Sequence, residues 1–171
     1  MLEIAETGLA AATAKIAARA GIATGTLFTY FVTKEELLNE LYLQLKREGY
    51  ARVNREFPRN ASLERRVRHI WTSYLEWTIE FPLRRKVVAV LNMSDLITAD
   101  TRAQAAAERK LVETTLRELE GRKALQSFPA GFAAAMMSAM QEATRDFIAA
   151  HPRRRKQLSE SGFAVFWRAV Q

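Results

Sequence analysis

The residues of this 171-residue chain whose types and spacing suit chemistry lie in one short run, Thr24-Gly25-Thr26-Leu27-Phe28-Thr29-Tyr30. Wound as a helix, the run turns Leu27 inward with Phe31 four positions on, and leaves Thr24, Gly25, Thr26, Phe28, Thr29 and Tyr30 facing out. Hydroxyls on such a face reach base edges or phosphates, and an aromatic ring such as Phe28 meets a thymine methyl. Such a face suits major-groove contact rather than bond making. Thr13 and Lys34, at the starts of the neighbouring helices, bring hydroxyl, amide and ammonium donors suited to phosphate oxygens.

Other reactive types are scarce. The absence of cysteine excludes disulfides, thiolate nucleophiles and cysteine-ligated zinc. Neither His69 nor His151 has a glutamate three positions earlier, so the Glu-x-x-His pattern of di-iron bundles is missing, as are His-Glu-x-x-His and any glycine-rich phosphate loop. Glu35 and Glu36 point in different directions on a helix and make a poor acid-base pair. The chain therefore reads as a non-enzyme with no catalytic residue, no cofactor and no metal site.

The elements that position the run are helical. Glycine and proline are sparse, and apolar residues recur at spacings of three and four, which predicts an all-α fold. Ile16, Ala17 and Ala20 are expected to face the core from a first short helix. Gly21 is expected to end it in the left-handed conformation, and Ile22 to fill the corner before the second helix. Thr33-x-x-Glu36 is a capping box opening a long helix from Lys34 to about Phe57, with Leu37, Leu38, Leu41, Leu45 and Val53 on one side. Pro58, Pro82, Pro129 and Pro152 mark further boundaries. They separate a helix from Ser62 to Phe81, a shorter one after Pro82, and another from about Asp100 to Arg122. Two final helices carry the stripes Phe132, Met136, Met140, Ala143, Phe147 and Phe163, Phe166, Trp167, Val170.

On periodicity alone, residues 13–31 fit a helical hairpin packed only for stability as well as a reading head. Charge does not separate the two, because residues 1–57 hold seven basic and seven acidic side chains while the whole chain is +7. The downstream clusters, Arg65-Arg66-x-Arg68, Arg84-Arg85-Lys86 and Arg153-Arg154-Arg155-Lys156, read as solvated helix ends or faces. No apolar run approaches the roughly 18 residues of a membrane span, and no basic flank opens the chain, so a soluble, cytoplasmic protein with no membrane partner is expected.

The pattern Lys15-Ile16-Ala17-x-x-Ala20-Gly21-Ile22-Ala23-x-Gly25-Thr26-Leu27-Phe28-x-Tyr30-Phe31-x-x-Lys34-Glu35-x-Leu37-Leu38 resembles the TetR/AcrR family of bacterial regulators, over about residues 8 to 45. The resemblance implies a three-helix, helix-turn-helix DNA-binding domain at 1–45 and a helical ligand-binding and dimerisation domain at 46–171. It implies a homodimeric repressor that binds double-stranded operator DNA and is released by a small-molecule effector. Thr13, Thr24, Gly25, Thr26, Phe28, Thr29, Tyr30 and Lys34 match the family's DNA-contacting positions. Phe28 stands where tyrosine is common. Ala23 stands where a Ser or Thr cap is frequent, which costs about 1 kcal/mol. The stretch from Gly8 to Thr13 is one residue short, and the first helix is expected to be shortened, either because the start lies upstream or because the domain is reduced.

The effector cavity is expected among the middle helices, with His69, Trp71, Tyr74, Trp77, Met93, Met136 and Met140 as candidate lining residues; each also fits an ordinary core position. The dimer is expected to use Phe132, Met136, Met140, Phe147, Phe163, Phe166, Trp167 and Val170. The alternative function is a helical dimer that uses the basic clusters to bind a protein or an acidic membrane, without specific DNA recognition.

Overall fold

The computed structural model describes residues 1–171, and its regular structure is entirely helical. In chain order the helices are α1 Leu2–Thr7, α2 Thr13–Arg19, α3 Thr24–Tyr30, α4 Lys34–Asn54, α5 Leu63–Glu80, α6 Pro82–Asn92, α7 Ala99–Glu108, α8 Lys110–Glu120, α9 Phe132–Ala150 and α10 Arg155–Ala169. Short 3-10 turns at Gly8–Ala10 and Pro152–Arg154 complete the regular structure. Pro82 occupies the first turn of its helix, where its missing N–H costs nothing. The single helix expected from about Asp100 to Arg122 is two, α7 and α8, broken at Arg109. No helix is long and apolar enough to cross a membrane.

The chain forms two compact units that differ from the expected division at residue 45: residues 1–49 with 81–108, and residues 50–80 with 109–171. In the first unit α1 buries Ile4 and Ala5 and packs against α2 and α6, which draws the segment after Pro82 to the N-terminal helices. Glu3, only 4% exposed, pairs with Arg19 of α2 at 3.0 Å, and the same guanidinium holds Glu6. The hydrogen bond from Arg19 keeps the Glu6 carboxyl below the usual glutamate range and raises the arginine in turn.

The capping box at the start of α4 forms with a shift of one residue. Thr33 accepts from the Glu36 amide at 3.1 Å, while the Glu36 carboxylate accepts from the amide of Val32, at 2.7 Å, in place of that of Thr33. Asn39 clamps the α6–α7 connection to α4, donating to the Leu96 carbonyl at 2.8 Å and accepting from the Thr98 amide at 3.0 Å. Arg84 reaches Glu48 at 2.8 Å.

The second unit packs α5, α8, α9 and α10 around Trp71, Phe163 and Phe166, all fully buried. The Trp71 indole donates to the Ser159 carbonyl at 3.2 Å, and its own carbonyl accepts from the buried Gln141 amide at 3.0 Å, so one residue of α5 registers both α9 and α10. Gly162 lets α10 approach closely: a Cβ there would lie 2.5 Å from Thr144 Oγ1 and 3.0 Å from Trp71 Cζ2.

Candidate nucleic-acid interface

The turn between α2 and α3 follows from three backbone choices. Gly21 sits at φ +71°, its amide donates to the Ala18 carbonyl and the Ile22 amide to the Ala17 carbonyl, both at 3.1 Å, which is the Schellman arrangement that ends a helix and redirects the chain. Ala17 is fully buried where the two helices cross, Leu27 is buried, and Ile16 and Phe31 are half-buried. Two expectations fail here. Ala20 is exposed, and Ile22 is 37% exposed at the rim, because the corner is closed by backbone hydrogen bonds and needs no side chain to fill it.

With Leu27 anchored, the opposite face of α3 stands free. Gly25, Thr26, Phe28, Thr29 and Tyr30 are exposed, Tyr30 at 73%, and Val32 just beyond is also exposed. Thr24 and Thr13 are half-buried at the first positions of α3 and α2. Ala23, extended at φ −67° and ψ 149°, begins α3 without a side-chain cap, as its lack of a hydroxyl dictates.

Hydrogen bonds divide the roles on this face. The Thr29 hydroxyl donates back to the Gly25 carbonyl at 3.1 Å, so only its lone pairs face outward. Thr26 and Tyr30 keep both donor and acceptor capacity. Lys34 is half-buried, and its ammonium donates to the Leu9 carbonyl at 2.7 Å, which fixes the turn before α2 and leaves two donors for a phosphate. The first unit holds nine basic and nine acidic residues, so this surface can engage a duplex through hydroxyls, aromatic rings and a few lysines, without a broad positive field.

The residues expected to line an effector cavity are scattered. Trp71 and Trp77 are buried in the second unit, where Tyr74, Met136 and Met140 are half-buried against the core. His69 holds the Val53 carbonyl at 2.8 Å with its ring edge against Phe57, a structural pin between α5 and the end of α4. Met93 is 88% exposed at the end of α6 and lines no cavity. A cavity of about 660 Å³ does open in the second unit, between α5, the end of α9 and the start of α10, and none of the seven candidates lines it. Its walls include Arg153, Arg155 and Lys156, which the sequence presents as a solvated helix end; only the fold brings them beside the apolar side chains of α5.

The candidate dimer residues also part company. Phe163, Phe166, Trp167 and Val170 fill the second unit's own core and offer no surface to a partner. On α9 the stripe Phe132, Met136, Met140 and Phe147 is half-buried to exposed, Phe147 at 61%, while Ala133, Met137, Gln141 and Ile148 form the buried face.

Against known proteins, residues 2–41 match the family described as bacterial regulatory proteins, tetR family. The whole fold is similar to that of a crystal structure of a putative tetR family transcription regulator from Shewanella sp. PV-4, at 26% identity, with 98% of this chain and 92% of that chain covered and a TM-score of 0.81. It is also similar to a TetR family transcription regulator from Marinobacter aquaeolei VT8, at 19% identity, covering 98% and 89% of the two chains with a TM-score of 0.83. A third similar structure is the TetR-like transcriptional regulator LfrR from Mycobacterium smegmatis in complex with proflavine, at 21% identity, 98% and 90% coverage and a TM-score of 0.67.

Proposed function

We propose that this chain, whose residues 2–41 match the tetR family of bacterial regulatory proteins, is a DNA-binding transcription regulator, a homodimeric repressor released from its operator by a small molecule. The observation that carries the reading is the free face of α3, where Thr26, Phe28 and Tyr30 stand clear of a helix anchored by Leu27. In this reading the two copies of α3 enter successive major grooves of a near-palindromic site, with half-sites about 34–36 Å apart or a multiple of it. Thr13 and Lys34 hold the flanking phosphates, and Thr24, Gly25 and Thr29 complete the contact surface.

The exposure of Phe147 on α9, beyond the part of the stripe that packs against the core, supports a dimer, since a large apolar side chain left to solvent is what a second copy would cover. The small-molecule part draws support from a cavity in the second unit and from the proflavine complex of a structural neighbour. A ligand releases the operator only if it prefers the conformation in which the heads do not fit DNA; equal affinity for both states moves nothing.

The test is an anisotropy titration of the purified protein against DNA flanking its own gene, with unrelated DNA of equal length as competitor. Thr26→Ala with Tyr30→Ala removes two base or phosphate contacts per head and is expected to weaken specific binding by at least about 30-fold, with circular dichroism and dimer mass unchanged. Operator binding unaffected by the double substitution would mean that α3 is not the reading helix.

A further inference from the structure

We propose that the cleft between α5, the end of α9 and the start of α10 binds an amphipathic anion, a carboxylate on an acyl or aryl body, and that this ligand is the effector. The second half of that statement rests on the repressor reading above.

The cleft has the two halves such a molecule requires. Its wall is apolar, formed by Leu75 and Ile79 of α5, Ile148 of α9 and Phe163 of α10, and its volume of about 660 Å³ falls within the roughly 300–1,000 Å³ of small-molecule sites. Its other lining residues include Arg68, Arg153, Arg155 and Lys156. Arg68 lies over the Phe163 ring at 4.1 Å while holding Glu64 at 2.8 Å. Arg153, Arg155 and Lys156 are exposed and pair with no carboxylate, whereas elsewhere in this unit Arg66 is matched by Glu118, Arg117 by Glu113, and Arg145 by Glu142 and Asp146. Two acids, Glu76 and Glu160, also line the cleft, and Glu76 lies 3.6 Å from Arg52. Cations therefore exceed acids at the site by four to two.

The placement of these cations is unfavourable without a ligand. Arg155 and Lys156 open α10, a 15-residue helix with no acidic residue in its first turn and no side-chain cap. A helix carries partial positive charge at that end, so cations there are repelled by the backbone that holds them. An anion seated at the mouth is attracted by both the cations and the helix end and so offsets their mutual repulsion, while an apolar body lies over Ile79, the one apolar wall residue that is not buried. A nucleic-acid backbone has no apolar part to fill the cavity, and a flat lipid surface does not enter a concave site, so the combination selects a small carboxylate amphiphile.

Calorimetric titration of the full-length protein with decanoate and with 1-naphthoate tests the site. One carboxylate per chain is expected, bound at least about tenfold more tightly than decan-1-ol, with decyltrimethylammonium excluded. Arg153→Ala, Arg155→Ala and Lys156→Ala together are expected to weaken the carboxylate by a similar factor and to leave thermal unfolding unchanged or slightly raised, since all three side chains are exposed and two of them oppose the positive end of α10. Absence of binding by both carboxylates, equal binding of the alcohol, or undiminished binding by the triple variant would overturn the site. Release of operator DNA by the carboxylate from the wild-type protein, but not from the triple variant, is expected for an effector. Binding without release would refute the effector role while leaving the anion site, and failure to bind operator at all would strike only the repressor reading.

Discussion

Arg19 holds two carboxylates at once, Glu3 at 3.0 Å and Glu6 beside it, and so ties α2 to α1 through a single guanidinium. Because the folded state lowers the Glu6 pKa, through its hydrogen bond with Arg19 first, the contribution of the Glu6 pair is at full strength above the ordinary glutamate range and is lost as pH falls through the lowered value. Glu6→Gln is therefore expected to lower the thermal midpoint slightly at neutral pH and to leave it equal to wild type in strong acid. A difference that persists or grows on acidification would contradict the assignment. At this scale the sequence was informative wherever a residue acts on its own neighbours: Gly21 takes positive φ, and Thr33 and Glu36 cap α4. It gave no sign that Glu3 would be buried or that Arg19 would be its partner, since the two lie sixteen positions apart and meet only when α1 docks.

Helices α9 and α10 cross so closely at Gly162 that a methyl group there would collide with Thr144 and Trp71. Gly162→Ala is expected to destabilise the protein by about 1–2 kcal/mol in chemical denaturation, the overpacking cost outweighing the roughly 1 kcal/mol gained in helix propensity. Adding Thr144→Ala should restore part of the loss, and a stabilising Gly162→Ala would mean the crossing has slack. The same pair of helices marks the limit of periodicity as a guide. The Phe132-to-Phe147 stripe is apolar at helical spacing and so, but for Gln141, is the Ala133-to-Ile148 stripe, displaced by one residue or about 100° around α9. The pattern identifies a helix with a wide apolar arc, but which half faces its own core depends on where α5 and α8 lie.

The chain's excess positive charge is confined to one of its two units: residues 50–80 and 109–171 hold seventeen basic against ten acidic side chains, while the unit bearing α3 is balanced. With Arg19 engaged by Glu3 and Glu6, Lys15 and Lys34 are the cations nearest α3 in sequence, two per chain and four in the proposed dimer. Operator affinity is accordingly expected to fall with salt at a slope of about −4 in log–log terms; a slope near −10 would require contacts from the second unit's basic clusters. Dimerisation has its own test. Phe147→Glu places a charge on the exposed α9 stripe and is expected to raise the dimer dissociation constant at least about 100-fold by sedimentation, with helicity unchanged. An intact dimer in that variant would move the interface elsewhere.

The features legible from the residues alone are local: helices throughout, the Schellman turn at Gly21, the cap of α4, and an α3 whose inner face is set by Leu27 and whose side chains from Thr26 to Tyr30 otherwise stand exposed. Each depends on residues within one or two helical turns, so chain connectivity alone brings the partners together. The tertiary structure decided the rest. It joined residues 81–108 to the N-terminal helices, gave Phe163, Phe166, Trp167 and Val170 to an internal core, and set the basic turn at Arg153 to Lys156 beside apolar side chains of α5. These arrangements join segments dozens of residues apart, and no spacing along the chain encodes which of several apolar or charged faces will meet.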